Sequence, residues 1–408
     1  MIRISSTLHP NIHKLVISQA LSKFGDNFTE VALAIFVLSI TNGSVFDLGV
    51  VLAMVYAPNI LLGWAVAGVI DHFNKRRTLV VADVGRAVLV ISIPVVHNYG
   101  WTVAAVFLMY SFAMIYRPMV RGVQPQIAGD PLINQKSGAR QQTYYAVADA
   151  TAFLAAAGVL FVWGVSPAFF INAATYLGAS VFILSISVPQ ETWEPLARGT
   201  IKFWQQLKEG YRYLYSDAKV AQLTLLSACL AVGVGSLNTF TAPLSERIWH
   251  VSSHHYVWLV FAMAIGSLIS GWLLEKFNLM ERWTFRPVIA LGLVLAGAGY
   301  ALVITMPTWW LGAFCLMLVG LGNGAFGVGI MVWIQQSTPQ EVRTRVLAIR
   351  GIGMGIGGAL GAAWGGWFAQ TAGLTGAILS AGALWIVLAV WCVSSTALGR
   401  SRVPKRAA

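Results

Sequence analysis

Charge is scarce in this chain. Only 10% of its 408 residues are Asp, Glu, Lys or Arg, where a soluble domain carries about 25%. Acid is scarcer than base, with 15 Asp and Glu against 27 Lys and Arg. A soluble enzyme or a solvated scaffold needs more of both signs, so those classes are excluded. Cysteine is nearly absent. Cys229, Cys315 and Cys392 lie inside apolar runs without metal-ligand spacing, which argues against a disulfide framework or a cysteine metal centre. No His/Asp or Cys/His set falls within the apolar runs, so no enzyme, cofactor or metal is expected.

What the chain has is apolar length. Hydrophobic residues make up 57% of it and the mean hydropathy is +0.70. A helix needs about 20 mainly apolar residues to cross a bilayer. Twelve runs meet that need, at 15–40, 46–70, 79–97, 101–124, 142–164, 167–187, 220–244, 256–275, 286–306, 309–334, 346–369 and 376–396. Continuous runs mean helices, since a membrane barrel shows short alternating segments instead. The expected fold is therefore all-α, with twelve transmembrane helices in two six-helix bundles. The first run is too long for a cleavable leader and is expected to stay as an anchor.

The cations set the topology. Apart from Lys23, Arg86 and Arg247, the Lys and Arg residues cluster at the termini and the even-to-odd loops, or within about two turns of them. Both termini are therefore expected in the cytoplasm of a bacterium, with the chain in its inner membrane. The net charge of +12 is then an orientation signal and not a nucleic-acid footprint.

The longest stretch outside the runs is 188–219. Within it, 202–215 has the alternation of an amphipathic surface helix. The expected domains are 1–187, a linker at 188–219, and 220–408. An internal echo supports two halves: Asp71-His72-Phe73-Asn74 and Glu275-Lys276-Phe277-Asn278 lie 204 positions apart, half the chain. Parallel six-helix repeats of this kind hold substrate near the membrane midplane.

Several motifs carry a family resemblance. Residues 67–79 contain Gly68, Asp71, Lys75, Arg76 and Arg77, which resemble the loop signature of the major-facilitator transporters. Ala67, His72 and Asn74 depart from that signature, and Gly271 restores its glycine in the second half. Ala82-Asp83-Val84-Gly85-Arg86-Ala87, Tyr116-Arg117-Pro118 followed by Pro125, Ile171-Asn172-Ala173-Ala174-Thr175-Tyr176, Glu209-Gly210-Tyr211-Arg212-Tyr213-Leu214 and Pro339-Gln340-Glu341-Val342-Arg343-Thr344-Arg345-Val346 resemble the macrolide-efflux branch of the drug:proton antiporters, to which siderophore exporters also belong. The resemblance implies proton-coupled export of an amphipathic small molecule by alternating access. Thr344 replaces a usual glycine, and span 5 lacks the proline-glycine element of many drug antiporters. A local resemblance competes: Ser22-Lys23-Phe24-Gly25-Asp26-Asn27 is similar to a motif of lysophospholipid transporters, which implies lipid flipping. A third reading, a non-transporting membrane receptor, has no need of both gate signature and intramembrane acids.

Charge inside a bilayer costs about 2.5–3.5 kcal/mol per residue on insertion scales, so each case needs a reason. Lys23, Asp26, Asn27 and Glu30 are spaced to share one face of span 1. Asp26 and Glu30 are the candidate proton carriers and would titrate as a coupled pair. A Lys23–Asp26 pair that merely stabilises the bundle is the alternative. Lys23, Asn27, Arg117, Tyr145, Asp149 and Asn238 are candidate substrate contacts. Asp71, Arg76, Arg77, Asp83 and Arg86 form a candidate gate. Spans 7–12 show no clear mid-membrane charge, and span 11 is dense in glycine, which allows close helix packing. The expected partners are a small-molecule substrate, protons and membrane lipids, with no nucleic acid and a monomer as the working unit.

Overall fold

A computed structural model describes residues 10–62, 74–129, 131–186, 205, 208–252, 255–396 and 398. Among them twelve helices of 17 residues or more follow one another, and no strand occurs. They are α1 Pro10–Ile40, α2 Val45–Leu61, α3 Lys75–Val96, α4 Tyr99–Ala128, α5 Pro131–Trp163, α6 Ser166–Leu184, α7 Ala218–Arg247, α8 Tyr256–Lys276, α9 Phe285–Val303, α10 Trp309–Ser337, α11 Gln340–Thr371 and α12 Gly373–Ser394. Nine are long and apolar enough to cross a bilayer. The other three fall short for visible reasons. α1 carries Lys23, Asp26 and Glu30, α2 has 17 described residues, and the first half of α5 is polar.

Each helix matches one apolar run, but several begin earlier. α5 starts at Pro131 and α11 at Gln340, where the apolar runs start at 142 and 346. Hydropathy marks the part of a helix suited to lipid, and polar turns extend the helix beyond it. Side-chain caps fix two of the starts. Asn74 accepts the Arg77 N–H at the head of α3, and Asp217 accepts the N–H groups of Lys219 and Val220 at the head of α7. Gly164 and Gly373 (φ 82° and 78°) take the left-handed conformation that lets one helix end and the next begin within three residues.

Contacts divide the chain into two compact units, Met1–Phe36 with Leu61–Phe203, and Val37–Ile60 with Trp204–Ala408. In the first, α3 packs on both α4 and α6. Leu79, Ala82, Tyr116, Met119, Val120 and Ile183 form one buried cluster there, and Ile12, Leu15, Val16, Val123 and Ile127 belong to another. In the second unit, α7 packs on α11, α10 on α8 and α9, and α9 on α12. Phe240, Phe285, Tyr300, Phe326, Trp333 and Trp385 anchor its core.

Glycine sets the spacing in the second unit. A Cβ on Gly235 would lie 2.2 Å from Gly358 O, and one on Gly361 would lie 2.0 Å from Val232 O, so α7 and α11 touch backbone to backbone. The same device explains where the division departs from the sequence expectation. Val37–Ile60, expected in an N-terminal bundle at 1–187, groups with the later spans. A Cβ on Gly49 of α2 would meet Ala362 O at 2.6 Å, and one on Gly366 would meet Val45 O at 2.9 Å.

A surface helix occupies 208–216, overlapping the expected amphipathic stretch 202–215; residues 202–204, 206 and 207 lie outside those described. It docks on α11 through Glu209 Oε2 and Arg345 Nη1, 2.7 Å apart, with Gly210 against Arg345 and Ile349. Tyr213 donates to Asp217 at 3.2 Å, and partial burial beside that carboxylate raises the phenol's pKa. The three cysteines are free thiols.

Candidate functional site

The first unit collects its polar residues around the middle of α1. Gly25 makes this geometry available, because a Cβ there would lie 1.9 Å from Thr175 Oγ1 and 2.3 Å from Asn172 Oδ1. The close approach of α1 to α6 puts Asp26 beside Tyr176, whose hydroxyl donates to Asp26 Oδ1 at 2.5 Å. One turn away, Asn172 Nδ2 donates to Thr29 Oγ1 at 2.7 Å.

From α3, Arg86 and Asp83 enter the same cluster as a buried ion pair, with side chains 4% and 0% exposed. The Arg86 guanidinium lies between two phenol rings, 4.6 Å from the Tyr116 centroid and 4.3 Å from that of Tyr176. Asp26 is within electrostatic reach of both Asp83 and Arg86. Bonding capacity is left over. Asp83 Oδ2, Arg86 Nε and Tyr116 Oη are buried without a hydrogen-bond partner among the described residues. Asp26, Thr29, Arg86, Tyr110, Asn172 and Tyr176, with Met109 and Ala113, line a small cavity. Its free space suits a water molecule and not a drug-sized ligand.

The remaining sequence candidates distribute around this cluster. Lys23 donates to Asn27 Oδ1 at 3.0 Å. Asn27 is buried while Glu30, one turn on, is exposed. Tyr145 donates to Gln19 Oε1 at 3.0 Å, and Gln141 bridges the same pair, tying α5 to the earlier turns of α1. Arg117 and Asp149 sit in α4 and α5, with side chains outside the described residues, and Asp71 lies wholly outside them. Arg76 and Arg77 open α3, half-buried and exposed. Asn238 is half-buried on α7; its neighbour Thr239 bonds to backbone at Gly235 and Ala362.

Two groups escaped the sequence reading. Tyr116, Asn172 and Tyr176 stood in quoted motifs but were given no role, because an aromatic or amide inside a span is usually core. The available signal was that three motifs from α3, α4 and α6 each carried a polar group at bilayer depth. The second is Arg350, which the sequence counts only among the cations near the span ends; it lies eleven residues into α11, half-buried, with its Nε on Ser227 Oγ at 2.9 Å.

The arrangement in each unit invites comparison with known proteins. Residues 223–408 match the family model described as Major Facilitator Superfamily. The fold matches a nucleoside transporter, NupG, at a TM-score of 0.75 with 13% identity, covering 94% of this chain and 98% of that one. The second half of this chain therefore carries the major-facilitator family match, and the whole chain has the fold. A bacterial homologue of the human lysosomal transporter Spinster gives the same TM-score at 14% identity, covering 94% and 95% of the two chains. In sequence, the protein is 21% identical over 399 residues to the uncharacterized MFS-type transporter YfiS of Bacillus subtilis (strain 168), covering 95% of this chain and 94% of that one. It is also 21% identical over 390 residues to macrolide efflux protein A of Streptococcus pyogenes, covering 92% and 93%. These matches support a multi-pass membrane transporter.

Proposed function

We propose that this transporter exports an amphipathic small molecule, a drug-like compound or a siderophore, in exchange for protons. It works as a monomer by alternating access in a bacterial inner membrane, with both termini cytoplasmic. The observation that carries the reading is the assembly of half-buried Asp26 with buried Tyr176, Arg86 and Asp83. Two carboxylates there face one guanidinium. The cluster is one proton short of neutrality in a medium that penalises net charge.

Asp26 takes that proton. Ionised, it accepts from Tyr176 and competes with Asp83 for Arg86. Protonated, it leaves Arg86 wholly to Asp83. Transfer of the guanidinium's allegiance between the two acids is a two-state element that proton binding biases. The water-sized cavity beside Asp26 supplies the proton's route, and Glu30, exposed one turn on, is the second carboxyl on that helix. The macrolide-efflux relative supports export over uptake.

Substrate-dependent proton flux in proteoliposomes tests this. Asp26→Asn should abolish flux while the folded yield stays near wild type, and Tyr176→Phe should weaken it. If Asp26→Asn and Glu30→Gln both leave proton-driven transport intact, the coupling reading fails.

A further inference from the structure

Arg350 is a charge that no described residue compensates. Its Nε donates to Ser227 Oγ of α7 at 2.9 Å, and its Nη1 lies 3.6 Å from Met331 Sδ of α10. Neither contact carries negative charge. α10 contains no charged residue at all. On α7 the acids are at the ends: Asp217 caps the helix and binds Tyr213, and Glu246 lies nineteen residues past Ser227. On α11 itself, Glu341 is nine residues away and Arg345 is already paired with Glu209. Among the described residues, then, no carboxylate meets this guanidinium.

A lone half-buried guanidinium in a spanning helix is costly unless something neutralises it. Arg86 shows how this chain neutralises one when it chooses to: a carboxylate and two aromatic faces. At Arg350 a hydroxyl orients Nε, a thioether touches Nη1, and Nη2 meets no hydrogen-bond partner among the described residues. Beside it there is room. Gly327 sits one turn before Met331 on α10, and a Cβ built there meets nothing within 4 Å.

We infer that Arg350 is an anion-binding subsite, held by Ser227 and Met331, that takes the carboxylate or phosphate head of an amphiphile. Its planar fork suits such a head, and the Gly327–Met331 face receives the apolar part. The inference rests on the export reading and narrows its substrate class to anionic amphiphiles. The same head chemistry belongs to a transported molecule and to an anionic membrane lipid, and the experiment separates the two.

The full-length protein in phosphatidylcholine nanodiscs is titrated with dodecyl phosphate and with dodecanol, following the Tm. The wild type should prefer the phosphate, and Arg350→Gln should lose that preference by about tenfold or more. Arg350→Lys, which keeps the charge without the fork, should lose part of it and carries the test if the Gln variant does not fold. Without ligand, Arg350→Gln should melt no lower than wild type; a purely structural arginine would lower it. A second arm adds phosphatidylglycerol and counts retained lipid by native mass spectrometry. Retention lost in Arg350→Gln assigns the site to a headgroup, and dodecyl phosphate binding lost alone assigns it to a transported anion. Unchanged behaviour in both arms overturns the inference. Proton flux in Asp26→Asn scores coupling separately, so failure at Arg350 leaves that question standing.

Discussion

Arg86 and Arg350 are both guanidiniums inside spanning helices, one in each unit, and they are held in opposite ways. Arg86 is almost fully enclosed, with Asp83 three residues away on its own helix, Asp26 near it and a phenol on either side. Arg350 is half-buried against a hydroxyl and a sulfur. The first unit meets its charge internally, with carboxylates and phenols. The second unit is glycine-packed, and among the described residues no carboxylate meets Arg350. The proposed export mechanism assigns coupling to the first unit and recognition to the second.

The sharpest way to break that contrast is to remove a counter-charge. Asp83→Asn takes the bonded carboxylate from Arg86 and leaves Asp26, half-buried, to neutralise it; breaking a buried pair costs up to about 3–5 kcal/mol. Denaturant or thermal unfolding in detergent should show a loss of that order. Replacing both partners, Asp83→Leu with Arg86→Met, should recover most of it, because the penalty belongs to the orphaned charge and not to the missing bond. Arg350→Met should do the reverse of Asp83→Asn and leave the Tm unchanged or raised. If Asp83→Asn and Arg350→Met moved the Tm alike, the distinction between a compensated and an uncompensated guanidinium would collapse.

The next effect concerns packing. Gly361→Ala pushes a methyl to 2.0 Å from Val232 O, a backbone atom that can move only with its helix. Overpacking of this kind costs about 1–3 kcal/mol. Gly271→Ala is the matched control, since its Cβ meets nothing within 4 Å. It should be neutral or stabilising by up to about 1 kcal/mol, as alanine is the better helix former. Equal destabilisation by the two would mean that the α7–α11 contact is looser than its geometry.

Much of this architecture was legible in the residues, and the exceptions share a cause. Apolar runs located twelve helices because lipid imposes its own composition on whatever crosses it. The polar first turns of α5 and α11 were invisible to that signal. Asp26, Asp83 and Arg86 stood out as charges where charge is expensive, but their convergence depends on Gly25 bringing α1 onto α6. A glycine announces freedom and not direction. The grouping of α2 with α11 rests on Gly49 and Gly366, which are 317 positions apart and have no local signature. Arg350 was hidden by its neighbourhood. It lies close enough to Arg343 and Arg345 to pass for one more topological cation, and only its contact with Ser227 sets it apart.

The smallest expected effect is at the surface helix 208–216, where two motifs that carried the family resemblance touch each other. Glu209 and Arg345 are 2.7 Å apart, but their side chains are 54% and 31% exposed. An ion pair in that setting contributes about 0.2–1 kcal/mol and is screened by salt. Glu209→Gln should therefore lower the unfolding free energy by less than about 1 kcal/mol, and by nothing measurable at about 1 M salt. Gly210→Ala acts on the same contact without charge. Its Cβ would lie 2.7 Å from Ile349 Cδ1, the far end of a side chain that can turn aside, so its cost should be small and independent of salt. The two variants thus split the contact into an electrostatic part and a steric part. A salt-insensitive loss well above 1 kcal/mol in Glu209→Gln would place Glu209 with Asp83, as an acid whose removal strands a cation, and not with the solvated surface where its exposure puts it.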